Sequence, residues 1–306
     1  MAVMNHGMNR RQLLGRSAAV LAATATANAS ALSQPASAPA LSEPAPRRFK
    51  LGLVTYNLAK DWDLPTIIRN CTDLGLAAVE LRTSHKHGVE PTMTVDQRKE
   101  VRKRFADSPV VLWGLGSTCQ YHEADPAAVS RNVETTKRFA QLAHDVGARG
   151  VKVRPNGFPK GIDHERTIEQ IGRALRTCGE ASARLGVEIW VEAHGAETCS
   201  PANMRKIMEA ADHPNVGVTW NSNYPCDLVD GSIRPGFDCL AQYVRSVHIN
   251  ELVNPYPYRD LFTLLRMHDY TRYTLIEAQA LNGADQEDAL RFIRYYIALW
   301  NALSSA

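Results

Sequence analysis

The sequence predicts an α/β fold, a single-domain (β/α)8 TIM barrel preceded by a leader and a linker. Three observations carry that expectation. From Lys50 onward, eight short β-branched runs alternate with eight longer segments of helical period, which implies parallel strands joined by right-handed crossovers. No shift in composition interrupts the alternation, so one domain accounts for it. The chain has 306 residues, 44% hydrophobic and 22% charged, long enough to close such a barrel with an extension to spare.

In order, the expected strands are residues 50–57 (KLGLVTYN), 77–83 (AAVELRT), 110–117 (VVLWGLGS), 150–155 (GVKVRP), 187–194 (VEIWVEAH), 216–222 (VGVTWNS), 246–251 (SVHINE) and 272–279 (RYTLIEAQ). Helices are expected near 63–75, 94–107, 126–147, 163–185, 200–212, 236–244, 257–268 and 284–303. Asp125 before Pro126 and Ser200 before Pro201 read as N-caps with proline in the first turn, and Gly75, Gly147 and Gly186 stand where C-terminal caps belong. An open doubly wound sheet is disfavoured by the first βα turn, Tyr56 to Lys60, which holds no glycine-rich phosphate loop.

The expected domain plan is a signal peptide at 1–29, a Pro/Ala/Ser-rich linker at 30–48 and the barrel at 49–306. Asn9-Arg10-Arg11-Gln12-Leu13-Leu14, with the moderately apolar stretch 17–27 behind it, resembles a bacterial twin-arginine export signal. The stretch is too short for a stable membrane span, and Ala27-Asn28-Ala29 offers small residues to a signal peptidase. The expected partner is therefore the twin-arginine export machinery, and the expected location is the periplasm or another exported compartment. The chain's net charge of +3 belongs to its start. Residues 1–49 carry five arginines against one glutamate, which leaves the rest at −1 and without a footprint for nucleic acid. Six cysteines form no CxxC pair, which argues against a structural zinc, and their spacing does not pair them as disulfides. Cys71 and Cys178 fall in helical patterns and read as small buried apolar residues.

In such barrels the site lies at the C-terminal strand ends. Polar residues spaced by two collect there: Glu80 and Arg82, Lys152 and Arg154, Glu192 and His194, Asn221 and Asn223, His248 and Asn250, Glu277 and Gln279. Members of a pair share a face, while Val79, Val151, Val153, Ile189, Val191, Val247, Ile249 and Ile276 take the helix-facing side. Any one of them alone reads as a solvated side chain or half of an ion pair; the set does not. Glu192, Asn221, His248 and Glu277 combine two carboxylates, an imidazole and an amide oxygen, a donor set suited to Mn²⁺ or Mg²⁺, with Co²⁺ or Zn²⁺ also able to fit.

The segment ADPAAVSRNVETTKRFAQLAHDVGARGVKV (124–153) and the strand ends WVEAHG, VGVTWNSN, SVHINEL and TLIEAQ resemble the xylose isomerase-like TIM-barrel superfamily of sugar (phosphate) isomerases and epimerases, from about residue 50 to 303. The resemblance implies one divalent metal ion held by Glu192, Asn221, His248 and Glu277, with Glu192 and Glu277 doubling as the catalytic acid/base pair. Two positions depart from the family pattern: Asn221 replaces an aspartate, which weakens metal binding, and Tyr224 replaces a histidine. The function implied is isomerisation or epimerisation of a sugar or keto-sugar through an enediolate. An exported location favours an unphosphorylated carbohydrate. Lys152, Arg154 and His194 are the expected oxyanion and hydroxyl contacts, Glu80 a hydroxyl acceptor, and Arg82, Asn223 and Asn250 further substrate contacts. Tyr56, Trp113, Tyr121, Tyr224, Tyr256 and Tyr258 are candidate stacking surfaces, and loops 223–236 and 254–257 candidate covers. Two alternatives stay open: a lyase or dehydratase using the same enediolate, and a non-catalytic exported sugar-binding barrel. Oligomeric state is not legible.

Overall fold

The computed structural model describes residues 46–279 and 285–305, so the expected signal peptide and the linker up to residue 45 lie outside it. The strands are β1 (Lys50–Val54), β2 (Ala78–Arg82), β3 (Val111–Gln120), β4 (Gly150–Arg154), β5 (Glu188–Glu192), β6 (Val216–Asn221), β7 (Val244–Ile249) and β8 (Tyr273–Ile276). The helices are α1 (Leu64–Asp73), α2 (Val95–Ala106), α3 (Pro126–Val146), α4 (His164–Ala183), α5 (Pro201–Ala211), α6 (Arg234–Leu240), α7 (Tyr258–Met267) and α8 (Gln286–Ser304). Every strand pairs in parallel with the next, and β8 returns to β1, with Lys50 opposite Tyr273 and Leu53 opposite Ile276, to close the barrel. All eight expected strands and helices are present.

Local chemistry sets the boundaries. Asp63, Asp125 and Ser200 each accept a backbone N–H as N-cap, followed by proline in the first turn, and Thr94 with Gln97 forms a capping box on α2. Gly147 ends α3 with φ 84°, in the left-handed region where a side chain would be strained. Several strand ends differ from expectation; β5, β7 and β8 stop earlier, at Glu192, Ile249 and Ile276. β1 stops at Val54 because the chain turns, with Asn57 at φ 61°; β3 runs on to Gln120, which pairs with Arg154 after a register shift; and β7 starts earlier, at Val244. Arg47 and Arg48, expected in the linker, dock on the barrel. Arg47 lies 4.0 Å above the Trp300 ring and bonds Asn301, while Arg48 pairs with Asp269.

Alternation along the strands produces two apolar layers. Val79, Val151, Val153, Ile189, Val191, Val247, Ile249 and Ile276 form the outer one with the helices, while Val54, Ala78, Trp113, Trp190 and Leu275 fill the barrel interior. Trp113 and Trp190 stack there with centroids 4.8 Å apart. A Cβ at residue 150 would stand 2.4 Å from the Trp190 ring, so glycine is what lets that ring lie against β4. Below the tryptophans, Glu188 accepts bonds from Arg149, Arg272 and Trp190 and seals the N-terminal end. Among the described residues no helix is long and apolar enough to cross a membrane.

Candidate active site at the strand ends

The inward parity that places Trp190 inside the barrel also places Glu192 at its mouth, and the same parity on β7 and β2 delivers His248 and Glu80. His248 is fully buried at the centre. Its Nδ1 lies 3.1 Å from Glu277 Oε2 and 4.0 Å from Glu192 Oε1, and its Nε2 lies 3.2 Å from Glu80 Oε2. Burial alone would lower the imidazole pKa, but the carboxylates of Glu277 and Glu80 overrule it and raise the value well above the histidine range. Burial likewise pushes Glu192 up, yet the Lys152 ammonium, 2.5 Å from Oε2, and His248 hold it well below the usual carboxylate range.

Glu192, His248 and Glu277 each offer a ligand atom, and the three lie within 4.8 Å of one another. Asn221 donates Nδ2 to Glu192 Oε1 at 3.3 Å, which leaves its Oδ1 buried with no hydrogen-bond partner. An orphaned amide oxygen beside two carboxylates and an imidazole fits a divalent cation, which would take the place of a proton on the imidazole. Glu80 holds Nε2 and so turns Nδ1 toward the other two carboxylates, the arrangement by which a carboxylate orients a metal-ligating histidine. Gly116 leaves the space: a Cβ there would stand 2.8 Å from Glu80 Oε1.

A second tier rims this centre. Gln120 Nε2 donates to Glu123 Oε1 at 2.6 Å, Asn156 Nδ2 donates to Gln120 Oε1 at 2.5 Å, and Asn156 Oδ1 meets His194 Nδ1 at 2.8 Å. A carboxylate only accepts, so Glu123 fixes the direction of both amides and makes His194 Nδ1 the donor. In the neutral ring, Nε2 is then an acceptor. Burial lowers the His194 pKa against the pull of Glu192. Beside it, the Arg154 guanidinium has no ion pair among the described residues, and its Nε, like His122 Nδ1, is buried without a partner. The Cys199–Cys226 disulfide ties the loop after β5 to the loop after β6. Next to it, Asp227 accepts from Asn223 N–H and Tyr256 O–H, both at 2.9 Å, and burial raises its pKa to about 7.

The strand ends therefore bring together Glu80, Lys152, Glu192, Asn221, His248 and Glu277, with Arg154 and His194 one step further out. Several substrate contacts expected from the sequence are placed otherwise. Glu80 has no exposure, and its Oε2 holds His248 while its Oε1 has no partner. Asn223 and Asn250 give their amides to Ala193 O and Ser222 O and brace the loops, and Arg82 lies over the Tyr56 ring at 5.6 Å. Trp113 belongs to the interior layer, and Tyr121, Tyr256 and Tyr258 are buried with bonded hydroxyls; of the six aromatics, Tyr56 and Tyr224 are exposed. Sequence reading missed Gln120, His122 and Asn156. The first two keep the inward parity of Gly116, a signal hidden by ending β3 at residue 117. It also left the disulfide unpaired, although both cysteines follow consecutive strand ends.

The closed eight-stranded barrel brings carboxylates, an imidazole and an amide together at its mouth, a set that could hold a metal ion. Residues 68–296 match the family model described as Xylose isomerase-like TIM barrel, and the chain belongs to that family. Among solved structures it is similar to D-psicose 3-epimerase with D-tagatose from Clostridium cellulolyticum H10, at 15% identity and TM-score 0.70 over 84% of this chain and 100% of that one. It is also similar to 3-keto-D-glucoside 4-epimerase from E. coli, at 14% identity and TM-score 0.66 over 81% and 99%. The IolI protein with a bound zinc atom aligns at 13% identity and TM-score 0.68 over 84% and 98%. At these identities the likeness is one of fold. No curated protein matches the chain in sequence.

Proposed function

We propose that the protein is a divalent-metal-dependent sugar isomerase or epimerase, with Glu192 and Glu277 as its acid/base pair. The observation that carries this reading is the approach of both carboxylates to His248 Nδ1 beside the orphaned Asn221 Oδ1. The epimerases among its structural neighbours support it by analogy of fold. Lys152 keeps Glu192 ionised and ready to take a proton from a carbon next to a carbonyl. The product of that step is an enediolate. Glu277, half-buried just past the end of β8, returns a proton to the opposite face in an epimerisation or to the adjacent carbon in an isomerisation. A divalent ion held by Glu192, Asn221, His248 and Glu277 would polarise the substrate carbonyl, with Mn²⁺ or Mg²⁺ the best match to the donors. Lys152 and His194 hold substrate oxygens by hydrogen bonds.

We also place the protein outside the cytoplasm, delivered by the twin-arginine route. The Arg10-Arg11 signal supports this, as does the Cys199–Cys226 disulfide, since such bonds persist in oxidising compartments. The test is incubation of the Mn²⁺-loaded protein in D₂O with ketoses, aldoses and their oxidised acids. Solvent deuterium at a carbon next to the carbonyl, together with a new epimer or isomer, is the expected result. An unsaturated product would assign elimination instead, and binding without exchange would make the chain a sugar-binding barrel.

A further inference from the structure

We propose that the substrate is a sugar acid whose carboxylate is received by Arg154, with His122 beside it. The inference rests on the sugar-isomerase reading of the same site and names its substrate class. Lys152 and Arg154 share the inward face of β4, yet their circumstances differ. Lys152 is bonded to Glu192, whereas the Arg154 guanidinium has no acidic partner among the described residues, and its Nε is buried with nothing to donate to. His122 Nδ1 is a second buried nitrogen without a partner, and the two side chains are near enough that the Arg154 charge acts on the imidazole. Glu123, whose charge acts on His122, accepts from Gln120 at 2.6 Å and makes no ion pair with Arg154.

A buried donor left unpaired is costly, so Arg154 Nε, with the unpartnered His122 imidazole within reach of its charge, marks the place of an acceptor that arrives from outside. A guanidinium is a planar fork of donors, matched by two oxygens on one atom rather than by a single hydroxyl. The position also suits a terminal acid group. Arg154 lies two residues along β4 from Lys152, roughly 7 Å further out at the usual strand rise, and β4 stands four strands from β8 in the eight-stranded ring. A sugar whose reacting carbon lies between Glu192 and Glu277 would extend its far end across the mouth to Arg154. A phosphate monoester presents similar oxygens, and an exported enzyme meets oxidised sugars more readily than phosphorylated ones.

Calorimetric titration of the metal-loaded protein with D-glucuronate, D-galacturonate and D-mannuronate, against their neutral hexoses and their 6-phosphates, tests the proposal without requiring turnover. At least one hexuronate should bind about tenfold or more tightly than its neutral hexose, as a charge-assisted bidentate contact provides. Arg154→Gln should erase that preference; Arg154→Lys, which keeps the charge without the fork, should retain part of it. Thermal melts establish that each variant is folded. Equal binding of acids and neutral hexoses, with Arg154→Gln lacking effect, would overturn the acid subsite while deuterium exchange into a neutral sugar left the isomerase reading standing. Preference for the 6-phosphates would overturn the sugar-acid assignment. Absence of binding and of exchange with every sugar would overturn both.

Discussion

β5 carries one glutamate at each end of the barrel, and the two have opposite fates. Glu188 at the closed end is saturated: Arg149 and Arg272 donate to Oε1, and Trp190 and Arg272 donate to Oε2. Burial would raise its pKa, but these bonds overrule it and bring it down to about 2. At the open end, Glu192 meets Lys152 on one oxygen and an amide on the other, and the atoms around it are left wanting: Glu80 Oε1, Asn221 Oδ1, Arg154 Nε and His122 Nδ1 have no partner. Three residues of strand, Ile189 to Val191, separate a polar cluster that completes the fold from one that awaits a ligand. A buried polar cluster is thus not in itself a sign of function; unsatisfied capacity within it is.

Breaking each end in turn sharpens that contrast. Glu192→Gln should lower turnover by about 10²–10⁴-fold, the usual share of a positioned acid/base group, while the circular dichroism spectrum stays that of a folded barrel. Trp190→Ala strikes the closed end and should do the reverse. Denaturant unfolding should show a loss of about 3–5 kcal/mol, as for other buried tryptophans, with kcat per folded molecule close to wild type. Glu80→Gln removes the carboxylate charge that holds His248 Nε2, so Mn²⁺ affinity by calorimetry should fall about 10–100-fold, a larger loss than any change at Glu188 produces.

The smallest effect concerns Asp227. Its folded pKa is raised from 3.8 to about 7 by burial, so the folded state resists ionisation and the contribution to stability is lost as pH rises from the unfolded value through 7. Asp227→Asn should therefore leave the melting temperature nearly unchanged near pH 4 and raise it at pH 8. A variant destabilised at both pH values would show that the carboxylate itself, rather than an acceptor oxygen for Tyr256, holds the loop.

Much of this was legible in the sequence because the strands obey a period of two. Once Val79, Val151, Val191 and Val247 are assigned to the helix side, Glu80, Lys152, Glu192 and His248 can only face inward. Parity does not give depth, however. Glu80 and Arg82 share a face, but Glu80 sits beneath His248 and Arg82 reaches the rim, a difference set by the register shift between Val79 and Glu80 and by the space over Gly116. Nor does it show which donors are already taken. Asn223 and Asn250 look like substrate contacts until the loop carbonyls they brace, Ala193 O and Ser222 O, are in place.

The bond between Cys199 and Cys226 closes a covalent ring around one whole repeat, α5 and β6. A protease that cuts the exposed Tyr224–Pro225 stretch would leave two pieces that still migrate together until a reductant is added. The piece that carries His248 and Glu277 would remain tethered through Cys226 to Cys199, on the piece that carries Glu192 and Asn221. A nicked barrel of this kind keeps its two halves at the same address, which is a form of durability that packing alone does not supply.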